Sequence, residues 1–120
     1  MKSLKLLLLV CSMSLVTFIS GAQAAQNKNP TLVAQKLYQA WHLKNRKSAL
    51  KIADKDAVDK LFGVRWRVMK FEGCKRREGE IGFECIYRDA KNDFSLAMIV
   101  EGGVSVGGYN VASLSFSTEE

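Results

Sequence analysis

The sequence predicts an α+β domain in which N-terminal helices pack on an antiparallel sheet. Apolar side chains recur at helical spacing between residues 30 and 62, and from residue 64 onwards they alternate with polar ones. The 120 residues, 48% hydrophobic and 25% charged, have the length and composition of one globular domain. Helices followed by strands are typical of α+β folds, in which the helices cover one face of the sheet.

The start of the chain has the organisation of a secretory signal peptide. Lys2 and Lys5 precede an apolar run at residues 6–19, and Ala22-Gln23-Ala24 matches the small-x-small cleavage pattern. The alternative is a membrane anchor, but the run of 14 residues is shorter than the roughly 17 to 25 that span a bilayer. We therefore expect a signal peptide at 1–24, one domain at 25–120, and a periplasmic or secreted protein without a transmembrane segment.

Three helices are predicted in the first part of this domain. The first runs from Pro30 to about Leu43, with Asn29 as its N-cap. Lys44-Asn45-Arg46 is interpreted as a turn, after which Ser48 caps a short second helix. Asp54 caps a third helix, which Gly63 ends.

The remaining chain predicts strands with one apolar face. Because apolar residues alternate with polar ones, we expect strands at Val64–Val68, Ile81–Arg88, Phe94–Val100 and Tyr109–Phe116. Two glycine pairs, at 102–103 and 107–108, bracket residues 104–106 and are typical of turns and bulges. The large side chains expected in the core are Leu37, Trp41, Leu61, Phe62, Trp66, Phe83 and Phe94.

Two cysteines predict a disulfide bond. Cys11 leaves with the leader, and Cys74 and Cys85 remain in a compartment where disulfides persist. These two positions lie symmetrically about Gly79 and Glu80, so a chain reversal there places them opposite each other on neighbouring strands. Closing the loop between them would contribute about 3 kcal/mol in the chain-entropy model.

The pattern of small and aromatic residues resembles a known superfamily. The stretch Ala40-Trp41-His42-Leu43-Lys44-Asn45-Arg46, with Ala49, Ala53, Ala57-Val58, Leu61-Phe62 and the later Gly108-Tyr109-Asn110-Val111, is similar to nuclear-transport-factor-2-like domains of the cystatin-like superfamily. The resemblance implies helices packed into the concave side of a curved antiparallel sheet, which together form a cone that often has a pocket. That superfamily includes both enzymes and binding modules, so the resemblance bears more on the fold than on the function.

Few residues are suited to catalysis or metal binding. The chain has one histidine, His42, which we expect to be an ordinary helix residue, and its glycine pairs lack the spacing of a nucleotide-binding loop. We expect no metal and no cofactor. Asp54, Asp56 and Asp59 are interpreted as caps and a solvated helix face. If the protein were an enzyme, Glu84 and Glu101 would be the more plausible pocket carboxylates.

The charge suggests an anionic ligand or partner. The net charge of +6 becomes +4 once the leader with Lys2 and Lys5 is removed. Lys44, Arg46, Lys47 and Lys51 form one basic cluster, and the candidate anion- or partner-binding residues are Arg65, Arg67, Lys75, Arg76 and Arg77. The alternative is a solvated surface, because Glu72, Glu78 and Glu80 are interleaved with them. Nucleic acid is not an expected partner, since no reader motif is present.

These observations favour a small exported protein without catalytic activity. It would bind an envelope protein or an anionic ligand through its sheet, a pocket or its basic face. The alternatives are a pocket enzyme of the isomerase or dehydratase type and a purely structural secreted domain. The sequence also leaves a homodimer open.

Overall fold

The computed structural model describes residues 29–89, 91, 93–103 and 107–118. The leader and the segment 104–106 lie outside these residues. The described chain contains three helices followed by four strands, which confirms the α+β class. The helices are α1 (Pro30–His42), α2 (Arg46–Leu50) and α3 (Lys55–Phe62), and the strands are β1 (Lys70–Arg76), β2 (Phe83–Asp89), β3 (Phe94–Gly103) and β4 (Gly108–Thr118). None of these helices has the length and hydropathy that crossing a bilayer requires.

The four strands form one antiparallel sheet in the order β1-β2-β3-β4. The apolar side chains of the helices and those of one sheet face form a single core. Its fully buried large side chains are Leu37, Leu61, Leu96, Met98, Val33, Val58, Val100, Val111 and Cys85. Three of the large side chains expected in the core, Leu37, Trp41 and Leu61, are buried.

The other four large side chains expected in the core, Phe62, Trp66, Phe83 and Phe94, are only partly buried. Phe83 and Phe94 are the first residues of β2 and β3, so they lie at the margin of the sheet. Phe62 is the last residue of α3, and Trp66 belongs to the irregular chain that follows it. The pattern of apolar residues does not indicate how far the opposite layer extends, and Ile81, expected on the apolar face of a strand, precedes β2 and is 78% exposed.

The helix starts follow the local sequence, with one correction. Asn29 caps α1 as expected, its side-chain oxygen accepting from the Thr31 N–H at 2.8 Å. The expected cap of the second helix was wrong. Asn45, not Ser48, is the N-cap of α2, and the Asn45 side chain accepts the Ser48 N–H at 3.1 Å. An N-cap side chain accepts a hydrogen bond from the backbone N–H two or three residues later. In this helix, Ser48 supplies that N–H.

Asp54 is the N-cap of α3, but its carboxylate has another partner. The Asn110 Nδ2 of β4 donates to Asp54 Oδ1 at 2.7 Å, and the Asp54 side chain makes no capping bond. The backbone beside it pairs with the same strand, since Asp54 N–H donates to Val111 O at 2.9 Å and Val111 N–H donates to Ile52 O at 2.8 Å. These bonds attach the helical layer to the first half of β4.

The expected strand at Val64–Val68 is wrong, because these residues form irregular chain before β1. The backbone of these residues forms hydrogen bonds with side chains of α1 instead of with a neighbouring strand. Trp41 Nε1 donates to Val64 O at 2.9 Å, and Tyr38 Oη donates to Arg67 O at 2.9 Å. The hydroxyl of Tyr38 also accepts from Met69 N–H at 2.9 Å. Val68, which the alternation placed on the apolar face, is 76% exposed.

The disulfide between Cys74 and Cys85 is confirmed. The two residues are directly opposite each other on β1 and β2, with a Cα–Cα distance of 4.0 Å. A bulge lies between Phe71 and Gly73, and Gly73 has a φ of +106°, which a glycine adopts readily. The extra residue brings both Phe71 and Cys74 onto the core face of β1.

We predict that stability falls at alkaline pH because of Tyr87. This residue is 4% exposed and its ring stacks on Tyr38 at 4.3 Å. Burial, and secondarily the nearby Tyr38, raises the pKa of Tyr87 well above its ordinary value of 10.0. As pH rises, the unfolded chain therefore loses the Tyr87 proton before the folded chain does. The contribution of Tyr87 to the free energy of unfolding is complete below pH 10.0 and decreases above it by about 1.4 kcal/mol per pH unit.

Denaturant titrations from neutral to alkaline pH measure this effect. The matched variant is Tyr87→Phe, which keeps the ring and removes the ionisable group. We expect the alkaline decrease to be smaller in Tyr87→Phe. An equal decrease in both proteins would contradict the assignment.

Candidate functional site

The end of α1 places a lysine in an unusual backbone conformation. Lys44 has a φ of +56°, in the left-handed region. Its N–H donates to Trp41 O at 3.2 Å, and Asn45 N–H donates to Ala40 O at 2.8 Å. These two bonds are those of a Schellman motif, in which the left-handed position is usually glycine. A lysine there costs about 1 kcal/mol in backbone energy and fixes a cation at the end of α1.

An open hollow of about 340 Å³ lies beside this lysine. It is formed where the end of α1 meets the end of α3 and the irregular chain that follows it. The lining residues are Trp41, Lys44, Phe62, Gly63, Val64, Arg65 and Trp66. We call this feature the amphipathic hollow, because three aromatic rings and two cations line it. Within the described part of the chain, neither Lys44 nor Arg65 has an acidic partner, and both are exposed.

Trp66 separates the amphipathic hollow from a smaller neighbour. The smaller hollow, about 200 Å³, is lined by Arg65, Trp66, Arg67 and Asp89. The exposed His42 ring stacks on Trp66 with a centroid distance of 3.9 Å. Trp66 Nε1 is buried and has no acceptor among the described residues. An indole N–H in that condition is a donor that a nearby oxygen would satisfy.

The five candidate anion-binding residues fall into two groups. Arg65 and Arg67 precede β1, whereas Lys75, Arg76 and Arg77 lie at its other end and in the turn that follows. The seven residues of β1 span roughly 20 Å, so the two groups do not form one surface. Whether either group binds an anion stays a prediction.

Other side chains already engage two of these arginines. The Arg67 guanidinium lies 4.0 Å from the centre of the Phe94 ring and 3.7 Å from Asp89 Oδ2. Arg77 pairs with Glu80, donates to Ile81 O at 2.9 Å and lies 3.9 Å from Glu101 Oε2. Their charge is therefore partly neutralised within the domain.

The turn between β1 and β2 carries balanced charge. A surface hollow there is lined by Lys75, Arg76, Arg77, Glu78, Glu80 and Glu84. Three bases against three acids give no preference for an anion. Glu84 is exposed and Glu101 Oε2 lies 3.9 Å from Arg77 Nη1, so neither carboxylate is buried in an apolar pocket.

Among the described residues, no polar or charged residue is buried and no group of three metal-ligating side chains is present. Asp54, Asp56 and Asp59 are all exposed. Asp59 pairs with Arg46 and with Lys55 Nζ at 2.9 Å, which makes it part of a surface ion-pair network.

The sequence indicated Arg65 as a candidate binding residue but not the hollow beside it. Trp41 is buried as expected and also lines the hollow, whereas Phe62 and Trp66, expected in the core, are only partly buried. The glycine at position 63 and the aromatic residues on either side of it could have indicated a tight junction. Their approach to Trp41, more than 20 positions away, depends on the hydrogen bond to Val64 O.

Comparison with protein-family models, curated proteins and solved structures finds no match.

We predict that Lys44→Gly is more stable than Lys44→Ala by about 1 kcal/mol. Both variants remove the cation, but only glycine adopts the left-handed conformation without strain. Denaturant unfolding of the two proteins measures the difference. Equal stabilities, or a more stable alanine variant, would contradict the assignment of strain to Lys44.

Proposed function

We propose that this protein is a small exported binding protein without catalytic activity, and that its ligand is an anionic amphiphile held in the amphipathic hollow. Such a molecule has a carboxylate or phosphate head and a short apolar body. The head would lie between Lys44 and Arg65, and the body would cover the partly exposed rings of Phe62 and Trp66. This assignment selects one of the options that the sequence left open, a ligand rather than a protein partner.

The observation that carries the proposal is the placement of two unneutralised cations beside an aromatic surface. Ligand sites in proteins combine apolar walls with a few polar groups that orient the ligand, and their volumes begin near 300 Å³. The amphipathic hollow, at about 340 Å³, lies at the lower end of that range. Cations on exposed side chains also attract anions over a distance of roughly 8 to 10 Å at moderate salt.

Export to the periplasm or the exterior is part of the proposal. It is supported by the Cys74–Cys85 disulfide together with the leader-like start of the sequence. Disulfides persist in oxidising compartments and are rare in the reducing cytosol. An extracytoplasmic site would bring the protein into contact with lipid-derived anions.

A binding role is better supported than a pocket enzyme. The space between the helices and the sheet is filled by the core, and His42 lies exposed on the outside of α1. Burial is what raises the pKa of a carboxyl group towards that of a general acid, and no acidic residue of the described chain is fully buried. A nuclear-transport-factor-2-like relationship remains our proposal for the fold, supported by the order of helices and antiparallel strands.

Tryptophan fluorescence tests the proposal directly. The chain has two tryptophans, Trp41 and Trp66, and both line the hollow. Titration with alkyl carboxylates and alkyl phosphates should change their emission in a saturable manner. Alkyltrimethylammonium ions of the same chain length should not bind, because their charge has the same sign as Lys44 and Arg65.

Arg65→Gln should weaken binding of the alkyl carboxylate by roughly tenfold, since a contact between ions is lost. Arg76→Gln is the matched control, because Arg76 is also exposed but lies at the far end of β1. Lys44→Gly should also bind the alkyl carboxylate more weakly than the unaltered protein does. Its stability should not be lower than that of Lys44→Ala. Equal affinities of Arg65→Gln and the unaltered protein would overturn the proposal, and so would tight binding of the cationic amphiphile. Chemical alteration of the probe, detected by mass spectrometry, would favour the enzyme.

A further inference from the structure

The two edges of the sheet have opposite character. The edge strand β1 carries Lys70, Glu72, Lys75 and Arg76 and is interrupted by the bulge at Gly73. Charged side chains and bulges are the features by which proteins prevent an edge strand from pairing with another chain. The other edge strand, β4, has 11 residues with the sequence GYNVASLSFST and no charged residue. Only one edge of this sheet is therefore protected against pairing.

Half of β4 is covered within the chain. Val111 pairs with Ile52 and Asp54, and the following bulge leaves Ala112 without a direct partner on β3. Beyond it, no backbone group of the described chain other than those of β3 pairs with Ser113–Thr118. Four of these six residues are exposed. The second half of β4 is thus an accessible strand edge.

We propose that the second half of β4 pairs antiparallel with the same segment of a second copy of this chain, centred on Ser115. The reason is that this segment, Ser113-Leu114-Ser115-Phe116-Ser117, can pair with an antiparallel copy of itself so that like residues face like. Pairing about Ser115 places serine opposite serine and Leu114 opposite Phe116 of the second copy. The two cores then lie on the same face of one continuous eight-stranded sheet.

The pairing of β3 with β4 shows that this arrangement packs well. On the core face of that pair, Leu96 lies opposite Phe116 and Met98 opposite Leu114. On the other face, Ser95 Oγ and Ser117 Oγ form a hydrogen bond of 2.6 Å. A second β4 offers the same alternation of small polar and apolar side chains. Phe116, which is only partly buried in one chain, would gain an apolar neighbour.

Charge favours a second copy at this edge and disfavours it elsewhere. The chain is basic, so two copies repel each other over much of their surfaces. An uncharged strand is a place where they approach without opposing like charges. This inference is independent of the amphipathic hollow, which is lined by α1, α3 and the chain before β1.

Sedimentation equilibrium over a range of concentrations, without added ligand, tests the pairing. We expect the average mass of the unaltered protein to rise towards twice the monomer mass. Because Ser115 lies opposite itself, Ser115→Lys and Ser115→Glu each bring two like charges together and should remain monomeric. An equimolar mixture of the two variants should recover the twofold mass, since opposite charges then meet. Glu84→Gln, which makes the same change in charge as Ser115→Lys on the exposed face of β2, should dimerise like the unaltered protein.

A monomer mass for the unaltered protein at every concentration would overturn the proposal. So would dimers that form equally well in both Ser115 variants, or a mixture of folded variants that stays monomeric. Circular dichroism establishes whether the variants fold. Amide hydrogen exchange of the unaltered protein tests the pairing without any variant. Exchange at residues 113–118 should slow as concentration rises, and slowing confined to another region would equally overturn the pairing.

Discussion

The hydrogen bonds that Tyr38 and Trp41 make with residues 64–69 determine how the helical layer joins the sheet. Trp41 donates to Val64 O, and the Tyr38 hydroxyl donates to Arg67 O while accepting from Met69 N–H. Partly buried backbone groups without strand partners would otherwise be costly to leave unpaired. Aromatic side chains of a helix thus take the place of a neighbouring strand. The same bonds hold Trp66 and Arg65 beside the end of α1, which creates the amphipathic hollow.

The register of β1 is the second constraint on the sheet. In a regular strand, Phe71 and Cys74 would point to opposite faces, because the side-chain period is two. The bulge at Gly73 inserts one residue and places both on the core face, where Cys74 meets Cys85. The disulfide then fixes this register covalently. The bulge therefore affects both the core, through Phe71 and Cys74, and the edge of the sheet that β1 forms.

The sequence predicted those structural features that depend only on residues close together in the chain. Asn29 and Pro30 indicated the start of α1, and the symmetric positions of Cys74 and Cys85 indicated their pairing. The alternation at Val64–Val68 led to an incorrect strand prediction. A period of two shows which side chains are apolar, but it does not show which groups form hydrogen bonds with the backbone. The amphipathic hollow was not predictable in the same way, because Trp41 and Trp66 come together only through tertiary hydrogen bonds. The left-handed Lys44 was equally hidden, since lysine gives no signal of that conformation.

Amide hydrogen exchange at Met69 in the unaltered protein and in Tyr38→Phe tests this account most directly. The variant removes one hydroxyl and keeps the ring that stacks on Tyr87, so the loss is confined to the bonds with Arg67 O and Met69 N–H. We expect the Met69 amide to be protected in the unaltered protein and to lose protection in the variant. We also expect the free energy of unfolding to fall by about 1 to 3 kcal/mol. Unchanged protection of Met69 together with unchanged stability would contradict it.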